Sequence, residues 1–349
     1  MKEILFISSA LQQPRHQKRI DLFRKNFRLT VFYFLRNKYT VNIKNYAAES
    51  VEIGVAKDGN YGSRVFLLLK LWLLLWKSSS ELVYCTGPDQ ALIAILARKK
   101  VYLELGDLYQ LDGRGKWFAA LDGFFCHKLA GLILTSPYYL SAYYAKKYPQ
   151  IVAKTIVIEN KLPLWMKAEV DSFRMLLPNK KRGKSIRIGV IGNFVFRKPL
   201  EALAELLKRR SDIELHAYGD GLISIFEGLP NFTYHGTFRS PEDLPKIYAS
   251  IDVNYILYDA GNNNVKLALP NKLYESIAFG CPIICSEDVS LGSLVQENGY
   301  GIASSINGIE GSLDKLIVHY ENYRSRLLSE PEISYLDMQQ EKILSLVGN

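Results

Sequence analysis

Cysteine is scarce: the 349-residue chain has four, Cys85, Cys126, Cys281 and Cys285, and no Cys-x-x-Cys pair among them. That excludes a dense disulfide framework, and reduced thiols in a cytoplasmic protein are the expectation. Cys281 and Cys285 border an apolar stretch and would stand roughly 13 Å apart in extended chain, too far to share one metal ion, so no zinc site is expected. Long apolar runs are missing too. The most apolar one, Val65 to Trp76 in RVFLLLKLWLLLWK, covers 12 residues, well short of the ~20 needed to cross a bilayer. The chain opens MKEILFISS on strand-like sequence, without the charged region, apolar core and cleavage site of a leader, so the protein is expected to stay where it is made. No helix-turn-helix, RNP-like aromatic strand or Cys/His finger pattern accompanies the scattered basic residues, and no nucleic-acid partner is expected.

What is present is apolar mass and lopsided charge. With 48% hydrophobic residues the chain can bury two cores, and two domains are the expectation for this length. Residues 1–180 carry 27 Lys and Arg against 14 Asp and Glu, a balance of +13, whereas 181–349 carry 17 against 21, a balance of −4. The first half is the one expected to seek anionic partners, an anionic membrane surface in particular.

Strand-like runs at Ile4–Ser8, Thr30–Phe34, Leu82–Cys85, Val101–Leu105, Leu132–Thr135 and Thr155–Ile158 alternate with helical stretches near Arg15–Lys25, Arg64–Lys77, Gln90–Ala97, Trp117–Ala130 and Tyr138–Lys147. Such alternation predicts an α/β domain with a parallel sheet over 1–166. From Lys167 to Ser185 the periodicity gives way to basic residues with Pro and Gly, which reads as a linker. A second alternating series fills 186–333: strands Ile186–Ile191, Glu214–Tyr218, Phe232–His235, Val253–Leu257 and Pro282–Ser286, with helices Pro199–Arg210, Pro241–Ser250, Gly292–Gln296 and Ile309–Leu327. Two Rossmann-like domains follow, with ligands expected outside the carboxyl ends of the strands. A last helix, Ser334–Val347, is set apart by Glu330-Pro331.

The stretch LPNKLYESIAFGCPII, Leu269 to Ile284, predicts a short helix. Pro270 suits its first turn, Leu273 and Ile277 with Tyr274 and Ala278 give an apolar face, and Gly280 with Pro282 ends it. Lys272, Glu275 and Ser276 are spaced i, i+3, i+4 beside the electropositive helix start. By themselves Lys272 and Glu275 also read as a surface ion pair.

The same stretch, with SIDVNYILY before it and GSLVQENGYGIA after it, closely resembles the nucleotide-binding half of GT-B fold glycosyltransferases. The nearest likeness is to bacterial family 4 (group 1) enzymes of capsule, exopolysaccharide and lipopolysaccharide assembly. The likeness is strong over Ile186–Ala303 and weaker in the first half, where VYLELGDLY resembles a strand and loop ending in an acidic residue. It implies two Rossmann-like domains facing each other across a cleft. The first would bind the acceptor and the second the nucleotide sugar, with helix 334–349 crossing back to the first. It implies Lys272, with Asn271 and Ser276 beside it, for the diphosphate, and Glu275 for the ribose hydroxyls. An acidic residue seven positions earlier is usual, but here that position is Ala268, so donor-sugar recognition departs from the pattern. Asn262, Asn263 and Asn264 just upstream are candidates to replace it.

By position, the loop GNFVFRKP, with Gly192, Arg197 and Lys198, resembles the family's diphosphate-contacting loop; alone it reads as a solvated basic pair at a helix start. Tyr218-Gly219-Asp220-Gly221 resembles the loop lining the base pocket and reads equally as a Gly-rich turn. The chain has no Asp-x-Asp triplet of the kind metal-dependent glycosyltransferases use. Positive charge for the leaving diphosphate is therefore expected from protein cations and a helix start, with no metal or other cofactor.

In the first half Asp107 follows strand Val101–Leu105 through Gly106. It reads either as the carboxylate that takes the acceptor's hydroxyl proton in an inverting reaction or as a turn residue. Glu104 within that strand, and Arg15 and His16 in QQPRHQKR, are further acceptor-side candidates; His16 reads alternatively as part of a solvated basic loop. The RVFLLLKLWLLLWK helix is either buried against a sheet or seated in a membrane surface. Tyr138–Tyr148 is a second headgroup-facing candidate or a half-buried helix.

The functional expectation is a metal-independent enzyme moving a sugar from a nucleotide, UDP foremost, to a lipid-linked or polysaccharide acceptor at the cytoplasmic membrane face. A UDP-sugar epimerase of the same plan and a non-catalytic basic membrane or nucleic-acid binder are the alternatives.

Overall fold

The structure is a computed structural model, and it describes residues 2–36, 50–57, 60–108, 111, 116–177, 183, 185–261, 263–330 and 333–348. The chain divides into two compact units, Met1–Glu159 with Asp337–Asn349, and Asn160–Leu336. The chain passes from one unit to the next at 159/160, upstream of the expected boundary, and the last stretch joins the first unit from Asp337 rather than Ser334. The expected linker contains a helix, Lys167–Leu176, whose Val170 is fully buried with Met166. Met166, Val170, Phe173 and Leu177 recur at i, i+4, i+7 and i+11, an apolar stripe that the surrounding lysines and acids obscure. Residues 178–182 and 184 of that stretch lie outside the described residues.

The first unit's strands are β1 (Glu3–Ser8), β2 (Arg28–Arg36), β3 (Ser50–Ala56), β4 (Leu82–Cys85), β5 (Lys100–Leu105), β6 (Gly131–Leu134) and β7 (Thr155–Val157). Among the described residues they form one sheet in the order β3-β2-β1-β4-β5-β6-β7, parallel throughout. Its helices are α1 (Pro14–Arg24), α2 (Tyr61–Lys77), α3 (Pro88–Leu96), α4 (Lys116–Lys128), α5 (Pro137–Tyr139) and α6 (Ala145–Lys147). A π-helical stretch, Leu140–Tyr144, joins the last two. The tyrosines of that stretch turn inward. Tyr143 and Tyr144 donate to the buried Asp122 at 2.8 and 3.1 Å, as the half-buried reading expects. Strand β3 was not expected, because SVEIGVA alternates poorly and carries Gly54 in mid-strand.

The second unit holds β8 (Ile186–Phe194), β9 (Ile213–Gly221), β10 (Phe232–Tyr234), β11 (Val253–Ile256), β12 (Ile283–Ser286) and β13 (Gly301–Ser304) in the order β10-β9-β8-β11-β12-β13, again parallel. Around them lie α7 (Lys167–Leu176), α8 (Arg197–Arg209), α9 (Leu244–Ser250), α10 (Asn263–Leu267), α11 (Asn271–Ala278), α12 (Ser290–Asn298), α13 (Ile309–Val318) and α14 (Tyr320–Leu328). The final α15 (Gln340–Gly348) belongs to the first unit, where its Ile343 and Val347 are buried.

Parallel strands covered on both faces must be apolar on both. Thus Ile188, Leu215 and Val253 pack with α8 and α13 residues such as Leu203 and Leu316, while Ile191 packs with Ile247, Tyr248 and Phe279 on the other side. In each sheet the order reverses beside the first strand, between β1 and β4 and between β8 and β11. Helices on either side of such a reversal diverge, leaving a crevice at the strands' carboxyl ends.

One side chain ties two helix ends together. Arg174 of α7 donates to the carbonyls of Ile277 and Ala278 at the end of α11, and to those of Leu327 and Leu328 at the end of α14. Carbonyls in a last helical turn have no partner within the helix, and a planar guanidinium can serve several at once. Replacing Arg174 with Ala is expected to destabilise the protein by about 1–3 kcal/mol in urea unfolding, with Lys only partly restoring it.

Candidate functional site

Strands β8 and β9 continue beyond the expected Ile191 and Tyr218, so Gly192, Gly219 and Gly221 lie in strands rather than in loops. Gly192 pairs with Gly219 and Phe194 with Gly221. The three glycines have φ of +99°, +138° and +126°, a region L side chains rarely adopt. A Cβ on Gly219 would fall 1.9 Å from the Gly192 carbonyl oxygen. The backbones approach so closely here that glycine is obligatory.

Lys272 reaches this point from the first turn of α11: a Cβ on Gly192 would meet its Nζ at 3.2 Å. A small hollow lies here, lined by Lys272, Asn193 and Phe196 together with Tyr255, Leu257 and Tyr258 from the β11 end. It sits at the β8/β11 reversal, where the topology opens a crevice.

Helix α11 is fixed from below. It starts at Asn271, with Pro270 as its N-cap and no side-chain cap bond. It ends at Gly280 in the left-handed region (φ +59°), where Cys281 N–H bonds the Ser276 carbonyl and Gly280 N–H the Ile277 carbonyl, a Schellman closure. Ser276 is fully buried and accepts a 2.8 Å hydrogen bond from Asn254 of β11. It therefore anchors the helix and does not face a ligand, because it shares the buried side of Leu273. Glu275 is buried as well and accepts from the Tyr248 hydroxyl at 3.2 Å. Burial and then the Glu275 charge push the Tyr248 phenol well above its ordinary range, which keeps it a donor. A surface pair with Lys272 is not what Glu275 makes.

Other second-unit expectations are revised. Arg197 and Lys198 form the start of α8 rather than a loop before it, and both are exposed; Arg197 pairs with Glu201 one turn on, at 3.2 Å. Tyr218 is buried, its hydroxyl 2.7 Å from Ser250 Oγ and its ring stacked 4.2 Å from that of His235; it is a packing residue. Asn263 and Asn264 begin the short α10, and Asn262 lies outside the described residues.

In the first unit Asp107 is half-buried just beyond β5, and the Arg15 guanidinium packs across the preceding Gly106: a Cβ there would lie 1.4 Å from Arg15 Nη1, so the guanidinium would have to move aside. Glu104 is not an exposed acceptor contact. It is buried, bonded by Arg19 at 2.8 and 3.1 Å and by the Tyr84 hydroxyl, with Arg15 Nε at 3.9 Å. Burial would raise its pKa, but the two guanidiniums and these hydrogen bonds outweigh it and hold the carboxyl at about 2.

His16 is likewise no part of a solvated loop. It is fully buried in α1, with Nδ1 2.8 Å from the Ala10 carbonyl and 2.9 Å from Ser8 Oγ. Burial, then the Arg15 charge, lower its pKa to about 3. A carbonyl only accepts, so Nδ1 carries the proton and Nε2, which has no hydrogen-bond partner, is left as a bare acceptor. Arg19, Tyr84, Tyr248 and Asn254 escaped the sequence reading, since a polar residue among core positions gives no sign of its partner. The closely spaced glycines of GVIGN and YGDG were the available signal for the backbone approach.

Residues 186–318 match the family described as Glycosyl transferases group 1. The succinoglycan biosynthesis protein ExoL of Rhizobium meliloti (strain 1021) is 25% identical over 314 residues, covering 80% of this chain and 75% of ExoL. Among solved structures, Anabaena Alr3699/HepE in complex with UDP and glucose gives a TM-score of 0.72 at 13% identity, with 100% of both chains covered. WaaG, a glycosyltransferase involved in lipopolysaccharide biosynthesis, gives 0.70 at 12% identity over 99% of each. Two doubly wound parallel-sheet units of this kind define the GT-B fold. The second unit thus carries a glycosyl transferases group 1 domain over residues 186–318.

Glu104 supplies a test of the buried network. Its folded pKa of about 2 lies below the ordinary 4.5, so its contribution is complete above about pH 4.5 and is lost as pH falls toward 2. Glu104→Gln is expected to cost ~3–5 kcal/mol at neutral pH, because Arg19 is left buried without its anion. Urea unfolding across that pH window should lose less stability in the variant than in the wild type.

Proposed function

We propose that this enzyme transfers a sugar from a UDP-sugar to a lipid-linked or polysaccharide acceptor in bacterial cell-surface glycan synthesis, without a metal ion, working at the cytoplasmic face of the inner membrane. The observation that carries the donor reading is the Lys272 ammonium held over Gly192 at the β8/β11 reversal. A departing nucleoside diphosphate needs positive charge at its phosphates, and a lysine in the first turn of an uncapped helix offers an ammonium and backbone N–H groups together. Glu275, one turn along and held by Tyr248, is the proposed ribose acceptor. Arg197 and Lys198, at the start of α8, are proposed to contribute to the diphosphate's electrostatic environment.

The likeness to ExoL supports an exopolysaccharide product, and the UDP and glucose named with the Anabaena structure support the nucleotide. The match to glycosyl transferases favours sugar transfer over epimerisation. On the acceptor side Asp107, at the carboxyl end of β5, is proposed to receive the proton of the attacking hydroxyl, with Arg15 packed across Gly106 beside it. The +13 balance of residues 1–180 supports attraction to an anionic membrane, where a lipid-linked acceptor would reside.

Calorimetric titration with UDP tests the donor site. Lys272→Ala is expected to weaken binding about ten- to a hundredfold, as loss of a charge-assisted contact does; unchanged affinity would sink the assignment. Asp107→Asn should retain UDP affinity but lose acceptor-dependent UDP release. Ordinary turnover in that variant would remove Asp107 from the chemistry.

A further inference from the structure

Helix α2 has two apolar faces, and the sheet covers only one. Leu67, Leu71 and Leu75, at i, i+4 and i+8, are buried. On the opposite side Phe66 (68% exposed), Leu69 (56%), Leu73 (51%) and Trp76 (72%) stand in solvent, with Val65 and Trp72 exposed beside them. At 3.6 residues per turn these six side chains occupy an arc of about 120° opposite the core. An outward face of an ordinary surface helix is polar. Here the exposed charges among its described residues are lysines: Lys70 and Lys77 run along one edge of the arc.

We infer that the outward face of α2 seats the first unit in an acidic lipid surface, with Phe66, Leu69, Leu73 and Trp76 in the acyl boundary and Lys70 and Lys77 at the headgroups. The helix has 17 residues, and none in the described structure is long and apolar enough to cross a membrane, so it lies in the interface plane. Apolar burial and attraction to anionic headgroups are the two terms that drive such seating. Tryptophan suits the boundary because its ring is apolar and its N–H is a donor.

A second copy of the chain is the competing occupant. An antiparallel symmetric seam would bring two rows of the same lysines together, and a parallel one would leave each row unpaired, whereas an acidic bilayer presents opposite charge to that edge. Lys70 is also held in place: its Nζ donates to the Ile53 carbonyl at 2.8 Å, so the edge charge is fixed relative to the apolar face.

The inference rests on the glycosyltransferase reading only for its purpose, since a membrane-bound acceptor would then be presented to the enzyme. Its test does not depend on that reading. The full chain is sedimented with phosphatidylcholine vesicles with and without phosphatidylglycerol, and UDP affinity is measured on the same preparations. Wild type should bind the acidic vesicles, salt should weaken that binding, and Phe66→Gln/Trp76→Gln should lower it at least about tenfold with UDP affinity unchanged. Leu73→Gln is a milder second variant should the double one unfold at lower temperature, and it should give a smaller loss. Absence of vesicle binding by the wild type, or equal binding by a folded double variant, overturns the inference. So does a wild-type dimer that the double variant turns into monomer without any vesicle binding. Vesicle binding without UDP affinity would leave the inference standing and sink the donor reading.

Discussion

Lys272 lies over the end of β8 at Gly192, where a Cβ would crowd its ammonium at 3.2 Å. The β8/β9 pairing depends on the other strand's glycines, since a Cβ on Gly219 or Gly221 would strike the backbone of Gly192 or Phe194. Much of the second unit's polar interior then serves to hold α11 at the height that brings its first turn there. Asn254 grips Ser276, Tyr248 grips Glu275, Gly280 turns the chain back, and Arg174 collects the carbonyls at the helix end. The helix that carries the cation is thus positioned by backbone geometry and buried hydrogen bonds.

The first unit uses polar burial differently. Around Glu104 ion pairing offsets burial: two arginines and a neutral, donating phenol surround one carboxylate, at the carboxyl end of a central strand. Such a cluster is costly to desolvate and more costly to break, so its worth lies in fixing geometry. It sets Arg15 across Gly106, directly before Asp107. His16, neutral beside it, keeps an unused acceptor nitrogen in the same neighbourhood.

Helix α2 shows how one apolar segment can serve two environments. Its sequence is apolar nearly all round, and either a buried or a membrane-seated helix accounts for that. The fold settles how much is buried: one leucine row against the sheet, with the remaining face in solvent. Lys70 neither interrupts the core nor floats free, since it bonds the backbone of β3 at the boundary between the two faces.

The α/β class, the two-part division and nearly every strand were legible because alternation of apolar runs with helical periodicity depends only on residues near in sequence. The short α11 and its glycine stop were legible for the same reason. Strand β3, the helix hidden in the expected linker and the inward turn of the tyrosines were not, since each owes its place to a partner far along the chain. The same holds for residue roles. The sequence determined which side chains carry charge or accept hydrogen bonds; tertiary structure decided that Ser276, Glu104 and His16 spend theirs internally while Lys272 stands over a glycine. A residue's chemistry is local, but its exposure and its partner are set by packing between segments that the sequence lists far apart.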